Sequence, residues 1–314
     1  MRACAFSPDG KEVLAAPSDK TLHLHDRATG RLVRVFSGCE ESATSCAFSP
    51  DGTEVLCGSF DHSLRLWDRA TGALRLSFEA HPHIVTACAF SPDGKELLST
   101  GADGTVRLWD RASGKPVRAF ERLRGWVTAC AFSPDGREVL AASPEEGGIR
   151  RWERSSGRVI GTLHGFTGPI AFAPGGEEML LGDGHSHAAL YDGATDAVIR
   201  TFDGGPSALS PDGREVLTTT DRAVHLWDTA SGRRLHSFEG HVRRVTALTF
   251  APDGGELLSA SDDMTLRLWR LPRREPIALG ADPVGAVELA LARIQAHGRP
   301  APVELSELPP LAPP

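Results

Sequence analysis

The sequence predicts an all-β protein built as a closed ring of seven four-stranded antiparallel blades, a β-propeller. Three observations carry that expectation. The segment Phe-Ser-Pro-Asp-Gly, followed nineteen residues after its Phe by a Trp, occurs at Phe48 to Trp67 and again at Phe90 to Trp109. Counting diverged copies, the turn motif begins at Phe6, Phe48, Phe90, Phe132, Phe172, Leu209 and Phe250, and the Trp-like position falls at His25, Trp67, Trp109, Trp152, Tyr191, Trp227 and Trp269. These seven copies, spaced 36 to 43 residues, reach to about residue 280, so the 314 residues read as one repeat domain and a tail rather than as two domains. Within each copy, finally, four short runs of β-formers alternate with hairpin-length turns.

The third copy shows the elements in order. Residues 84–90 (Ile-Val-Thr-Ala-Cys-Ala-Phe) read as a first strand that the Pro92-Asp93-Gly94 turn ends. Residues 95–99 form a second strand and the Asp103-Gly104 turn follows. A third strand, 105–109, alternates its faces, and after a turn over 110–114 a fourth strand occupies 116–120. Four short strands cannot bury both of their faces alone, and radial packing against neighbours leaves only short edges. An extended solenoid of the same repeats would need polar capping units, and neither end of the chain has one.

At the ends, Met1 aligns with Val85 inside the first strand of its own blade, so no N-terminal strand is expected to complete the last blade. Residues 276–279 fall in register with 116–119, which gives seven complete blades over 1–280 and leaves closure to packing between the first and last. Over the tail, 281–314, Asp282 is placed to cap a helix from Pro283 to near Gly298, with Val284, Val287, Leu291 and Ile294 on one face. That stripe is expected to lie across the seam or on a partner. The closing residues 308–314 read as extended or disordered, with a PxxP spacing at Pro310 and Pro313.

Composition excludes several classes. Charged residues make up 24% and apolar ones 40%, and no apolar run approaches the length of a membrane-spanning helix. The absence of a leader ahead of the first repeat points to the cytoplasm, and a monomeric propeller is expected. A net charge of −7 argues against nucleic acid as a partner, and the arginines at 233, 234, 243, 244, 270, 273 and 274 read as a solvated edge. Cys4, Cys46, Cys88 and Cys130 recur at one repeat position, too far apart for disulfides, and read as small buried apolar residues in a reducing compartment.

Leu66-Trp67-Asp68, Leu108-Trp109-Asp110 and Leu226-Trp227-Asp228, with Ala80-His81 and Gly240-His241 in the place of a Gly-His pair, resemble the WD-repeat (WD40) β-propeller family, in particular the multi-copy repeats common in bacteria. The resemblance covers about nine tenths of the chain. It implies a scaffold that binds proteins or peptides on the rim carrying the loops before the first strand and between the second and third. It also implies that His81, Ser99, Asp103 and Trp109, and likewise His241, Ser259, Asp263 and Trp269, form buried hydrogen-bonded tetrads.

The same side chains offer the residue types of a hydrolase triad, twice, at identical spacing. Duplication within a repeat favours the structural role, and no Gly-x-Ser-x-Gly elbow surrounds either serine. His185-Ser-His187 lacks companions at a metal-ligand spacing, and the glycines occupy hairpin turns rather than a phosphate loop, so no metal and no cofactor is expected. The chain therefore reads as a non-enzymatic scaffold. The alternative is a regulatory or sensor module of a longer enzyme, such as a kinase or protease, whose catalytic part lies elsewhere.

Copies that break the pattern are the informative ones. The second has Cys39 and Cys57 in the His and Ser places, which predicts two neighbouring buried thiols, either reactive under oxidation or inert. The fourth has Leu123 for His and Ala141 or Ala142 for Ser. Connections shorten in the fifth and sixth, with 20 residues from Trp152 to Phe172 and 18 from Tyr191 to Leu209 against 23 from Trp109 to Phe132, so a notch is expected in that sector of the rim. Trp126 is the one Trp outside the repeat position, with Arg122 and Arg124 beside it, and leads the partner-binding candidates. Phe60, His62, His83, Phe166, His185, Arg222 and Arg243 fall in equivalent loops.

Overall fold

The computed structural model of the chain describes residues 1–184, 186–205, 208–272 and 303–304. Seven four-stranded antiparallel sheets follow one another, each with its strands in sequence order. In blade 3 the strands are Val85–Phe90, Glu96–Gly101, Val106–Asp110 and Pro116–Ala119, from the channel outward. The inner strands touch in turn around the channel, and that of blade 7 (Val245–Phe250) touches that of blade 1 (Ala3–Phe6), so the ring is closed.

Burial explains the composition of each strand. The second strand of blade 2, Glu54–Ser59, is buried at every position, whereas the outer strand, Leu74–Glu79, is exposed at alternate ones. A strand covered on both faces reads as a continuous apolar run, and a strand covered on one face alternates. Apolar side chains gather into seven clusters, one at each blade–blade interface: Leu14, Leu22 and Leu24 of blade 1 meet Val55 and Trp67 of blade 2, for example, and Phe6, Val13 and Ala15 of blade 1 meet Ala251, Leu258 and Leu268 of blade 7. The core is thus between blades, not within them. A Phe closing one repeat tilts against the Trp of the next, as in Phe36–Trp67, Phe78–Trp109, Phe120–Trp152, Phe202–Trp227 and Phe238–Trp269, with ring centroids 4.9 to 6.0 Å apart.

On the side of the Pro-Asp-Gly turns, charge reinforces four of these interfaces. Arg69 donates Nε to Glu12 at 2.7 Å and Nη1 to the Gly52 carbonyl at 3.0 Å, reaches Asp9 at 3.4 Å, and lies over the Phe48 ring. Arg27, Arg111 and Arg154 repeat the clasp on Glu256, Glu54 and Glu96 of their preceding blades. The Pro-Asp-Gly glycines accept these contacts in a left-handed conformation, φ +67° to +69°, which other residues adopt at a cost. In blades 5, 6 and 7 the arginine position holds Gly193, Thr229 and Leu271, so the clasp joins blades 7-1-2-3-4 only.

The seam between blades 7 and 1 is therefore built like its neighbours, with Arg27 Nε on Glu256 at 2.8 Å and Nη1 on Asp253 at 2.9 Å in addition to packing. A further segment lies at the edge of blade 7. Val303–Glu304 pairs with the third strand, Leu268 opposite Val303 and Arg267 opposite Glu304, in the ladder place assigned above to 276–279. Residues 276–279 and the 283–298 helix lie outside the described residues. The four Ala-Cys-Ala-Phe cysteines are half-buried rather than fully buried, because the innermost strands border the channel.

Replacing Arg27 by Ala removes a mostly shielded two-carboxylate contact at the seam and is expected to cost about 1–2 kcal/mol in urea unfolding. Arg137→Ala, whose side chain is 86% exposed beside Asp135, is expected to leave the unfolding midpoint unchanged. Equal effects would show that the clasp does not hold the ring.

Candidate functional site

The rim opposite those turns is formed by the loops that link consecutive blades and by the turns between second and third strands. In blade 3 the entering loop brings His81 against the second strand and the turn brings Asp103 back over it. His81 Nε2 lies 2.7 Å from Ser99 Oγ, His81 Nδ1 lies 3.1 Å from Asp103 Oδ1, and Trp109 Nε1 donates to Ser99 Oγ at 2.8 Å. Blade 7 repeats the arrangement: His241 to Ser259 at 2.7 Å, His241 to Asp263 at 2.8 Å and Trp269 to Ser259 at 2.8 Å. All four members come together in both blades.

Proton inventory sets the direction of each bond. An indole N–H only donates, so Ser Oγ accepts from Trp and gives its own proton to His Nε2, leaving Nδ1–H for the carboxylate. Burial pushes the His81 imidazole down to about 4, against the opposing pull of Asp103, so the ring is neutral at pH 7. Burial alone would raise Asp103, but the Thr105 N–H and hydroxyl, with His81, hold it below the usual carboxylate range. The geometry matches a nucleophile–base–acid relay, yet Ser99 and Ser259 are 0% exposed and each oxygen already holds an indole proton. A carbonyl substrate has no route to either oxygen.

Other blades depart in ways a sequence reader misses. In blade 6, Thr218 stands in the Ser place, accepting from Trp227 Nε1 at 2.8 Å and donating to the Asp203 carbonyl at 2.7 Å, so a backbone acceptor replaces the imidazole. In blade 4, Ala141 pairs with Cys130 as Ser99 pairs with Cys88, which settles the choice between Ala141 and Ala142. Trp152 Nε1 there is buried with no hydrogen-bond partner among the described residues. In blade 2 the Cys39 and Cys57 sulfurs are 4.0 Å apart and buried.

Trp126 is 56% exposed in the loop between blades 3 and 4, flanked by buried Leu123 and Val127. Leu123 N donates to the Gly104 carbonyl at 2.9 Å, and Ser143 Oγ donates to the Arg124 carbonyl at 2.6 Å. The loop is pinned from beneath while its indole and the exposed Arg122 and Arg124 face outward. Leu123, in the His place, thus works as an apolar anchor.

The remaining candidates divide. His83, Arg222 and Arg243 are exposed, with Arg222 beside Asp221. Phe60 is half-buried beneath Arg2, whose Cζ is 4.6 Å from the ring centroid, and His62 meets His83 with centroids 6.3 Å apart. Phe166 is half-buried and turned edge-on to Tyr191 at 5.9 Å, in the interface between blades 4 and 5. His185 lies outside the described residues. His187 contacts Asp183 at 3.0 Å, and no cluster of three metal-ligating side chains occurs among the described residues. Among the described residues the inner strands of blades 5 and 6 are Ile170–Phe172 and Ala208–Leu209.

Two exposed apolar rim residues went unread in the sequence: Val242 at 69% and Met264 at 50%. Met264 occupies the turn position that Gly104 holds in blade 3, with φ +69°, and Lys20 and His62 do the same in blades 1 and 2 at +69° and +74°. A side chain with this backbone costs about 1 kcal/mol relative to Gly. The signal was present as non-glycine residues after the turn Asp, at Asp19-Lys20, Asp61-His62 and Asp263-Met264.

The profile of the WD domain, G-beta repeat family matches residues 1–26, 30–68, 72–110, 114–153 and 232–270, more than half of the chain. The chain belongs to the WD-repeat family. It is 30% identical over 154 residues to an uncharacterized WD repeat-containing protein of Synechocystis, covering 46% of this chain and 44% of the relative. It is 29% identical over 161 residues to nuclear distribution protein PAC1-2 of Uncinocarpus reesii, covering 41% and 35%, and 37% identical over 60 residues to Lissencephaly-1 homolog 1 of Paramecium tetraurelia, covering 19% and 15%. In each case the chain spans less than half the length of the relative. Among the described residues no helix is long and apolar enough to cross a membrane.

The network predicts a pH dependence. Folded His81 stays neutral down to about 4, whereas in the unfolded chain it takes a proton near 6.5. Between those values the unfolded chain binds more protons, so stability is fully present above 6.5 and falls as pH drops toward 4, by on the order of 3 kcal/mol for this group. His81→Asn is expected to lower stability at pH 7.5 and to flatten that decline; parallel curves of unfolding midpoint against pH for the two proteins would contradict the assignment. Because Trp152 Nε1 has no partner, Trp152→Phe is expected to be less damaging than Trp109→Phe by about 1–2 kcal/mol, measured by urea unfolding.

Proposed function

We propose that this propeller is a protein- or peptide-binding scaffold without chemistry of its own, and that its partner seats on the loop rim around Trp126. The observation that carries the reading is the exposed indole of Trp126 on a loop pinned by Leu123 and Val127. A large amphipathic ring held rigidly outward loses little entropy on binding and supplies contact area of the kind that dominates protein interfaces. Arg122, Arg124, Arg243, Val242 and Met264 extend the same rim with mixed apolar and basic character. Side chains kept at left-handed turn positions, where Gly would be more stable, support a role other than folding for Lys20, His62 and Met264. WD-repeat relatives point the same way, since propellers of this family typically bind proteins or peptides.

Affinity capture with the intact chain, quantified against Trp126→Ala, tests the reading. Capture of the principal partner is expected to weaken on the order of 30-fold, as for a hot-spot Trp, with the thermal midpoint unchanged. Identical capture by both proteins would exclude the Trp126 rim. Met264→Gly is expected to stabilise the fold by about 0.5–1 kcal/mol through relief at φ +69°.

A further inference from the structure

Blade 2 holds thiols where blades 3 and 7 hold imidazole and hydroxyl, and the rest of its network is rerouted around them. Trp67 Nε1 donates to the Ser37 carbonyl at 3.2 Å instead of to residue 57. Asp61 keeps the Glu40 N–H at 2.7 Å, as Asp263 keeps that of Val242 in blade 7, and accepts from Arg65 Nη1 at 2.6 Å where blades 3 and 7 have the imidazole. The Cys39 sulfur lies beside the Arg65 guanidinium that pairs with Asp61. The two thiols keep each other at 4.0 Å, and the single proton of Cys57 has two acceptors in reach, Cys39 Sγ and the Gly58 carbonyl at 3.1 Å.

The two sulfurs are not equivalent. Cys39 is 9% exposed in the segment 37–42 that enters the blade, while Cys57 is 1% exposed in the buried second strand. The hydrogen bond from Cys57, with the nearby Arg65 charge, holds the Cys39 thiol below its ordinary range despite burial. The same hydrogen bond and burial push Cys57 well up. Burial also pushes up the four channel thiols, Cys4 to about 12 and Cys88 to about 11 among them. Nucleophilic sulfur is therefore concentrated at Cys39.

We propose that Cys39 and Cys57 form an oxidisable dithiol that a hydroperoxide converts into a disulfide within blade 2. The Cys39 thiolate attacks a peroxide oxygen, the O–O bond breaks, and the departing oxygen leaves as water or an alcohol after taking a proton; Cys39 becomes a sulfenic acid. Cys57 sulfur then attacks Cys39 sulfur, the S–O bond breaks, and the Cys57 proton leaves with the hydroxyl as water. Two thiols lose two protons and two electrons, and the peroxide is reduced.

Closing the pair from 4.0 Å to the ~2.05 Å of a disulfide needs about 2 Å of approach. The entering segment can supply it, because Gly38 stands at φ +124° with nothing within 4 Å of the place a Cβ would take, whereas Cys57 is fixed in a fully buried strand. The bond would tie this segment to the second strand beside Phe60, whose N–H is held by the Ser42 carbonyl at 3.0 Å. Oxidation would thus be registered on the rim. Cys46 is the competitor, since it lies directly across the ladder from Cys57.

The test treats the native full-length chain with hydrogen peroxide, alkylates free thiols, and maps the products after cleavage at Glu41 and Glu54, which puts Cys39, Cys46 and Cys57 on separate peptides. The expected result is loss of two of the six thiols, an intact mass lower by two hydrogens, a cross-link joining the Cys39 and Cys57 peptides, and full reversal by dithiothreitol. Cys57→Ser is expected to trap the Cys39 sulfenic acid, labelled by dimedone, and Cys46→Ser to leave the disulfide yield unchanged. Six free thiols after peroxide, or a Cys46–Cys57 bond, would overturn the proposal; the wild-type map decides even where a variant does not fold.

Discussion

The second strand of a blade is covered on both of its faces, and no blade can provide both covers for itself. Every apolar cluster in the ring is consequently shared by two neighbours, from Leu14 against Trp67 round to Phe6 against Leu268. The blade is a unit of sequence but not of stability. A change in one interface is felt by two repeats, which is why a closed ring tolerates divergence in surface turns far better than in its second strands.

Two polar devices sit on opposite sides of this shared core. On the turn side, the Arg27, Arg69, Arg111 and Arg154 clasps tie blades 1 to 4 to their predecessors. On the rim side, the His–Ser–Asp–Trp chains tie loop to strand within a blade. Both solve one problem: a polar group taken out of water must find a partner, and a chain of mutual donors and acceptors supplies all of them at once. Blade 6 solves it with a backbone carbonyl, and blade 4 leaves its indole N–H unpaired.

Against this regular background, the exposed or reactive groups are those that the scaffold does not use. Trp126 occurs outside the repeat position and is held outward by residues that do pack. Cys39 and Cys57 occupy scaffold positions whose bonding has moved to the Ser37 carbonyl and to Arg65. Blades 5, 6 and 7 carry no clasp arginine, so the interfaces 4–5, 5–6 and 6–7 lack the clasp and the ring is reinforced unevenly. Phe166, a loop residue, has its ring half-buried and edge-on to Tyr191.

Blade number, strand order and the positions of the Trp and turn residues were legible in the sequence, because each is fixed by spacing within a repeat and a period does not depend on distant contacts; the membership of both tetrads was implied by the family resemblance. The structure alone decided what depends on which blades meet. The arginine after each turn Asp looks like an ordinary surface charge until the preceding blade brings a Glu and an Asp to it. Likewise the pairing of Val303–Glu304 with the third strand of blade 7 came from the structure, since an edge strand is chosen by backbone hydrogen bonds that a short apolar run does not specify. Exposure followed the same rule: Trp126 and Phe166 are both aromatic residues in rim loops, and packing from neighbouring segments leaves the first exposed and the second half-buried in an interface.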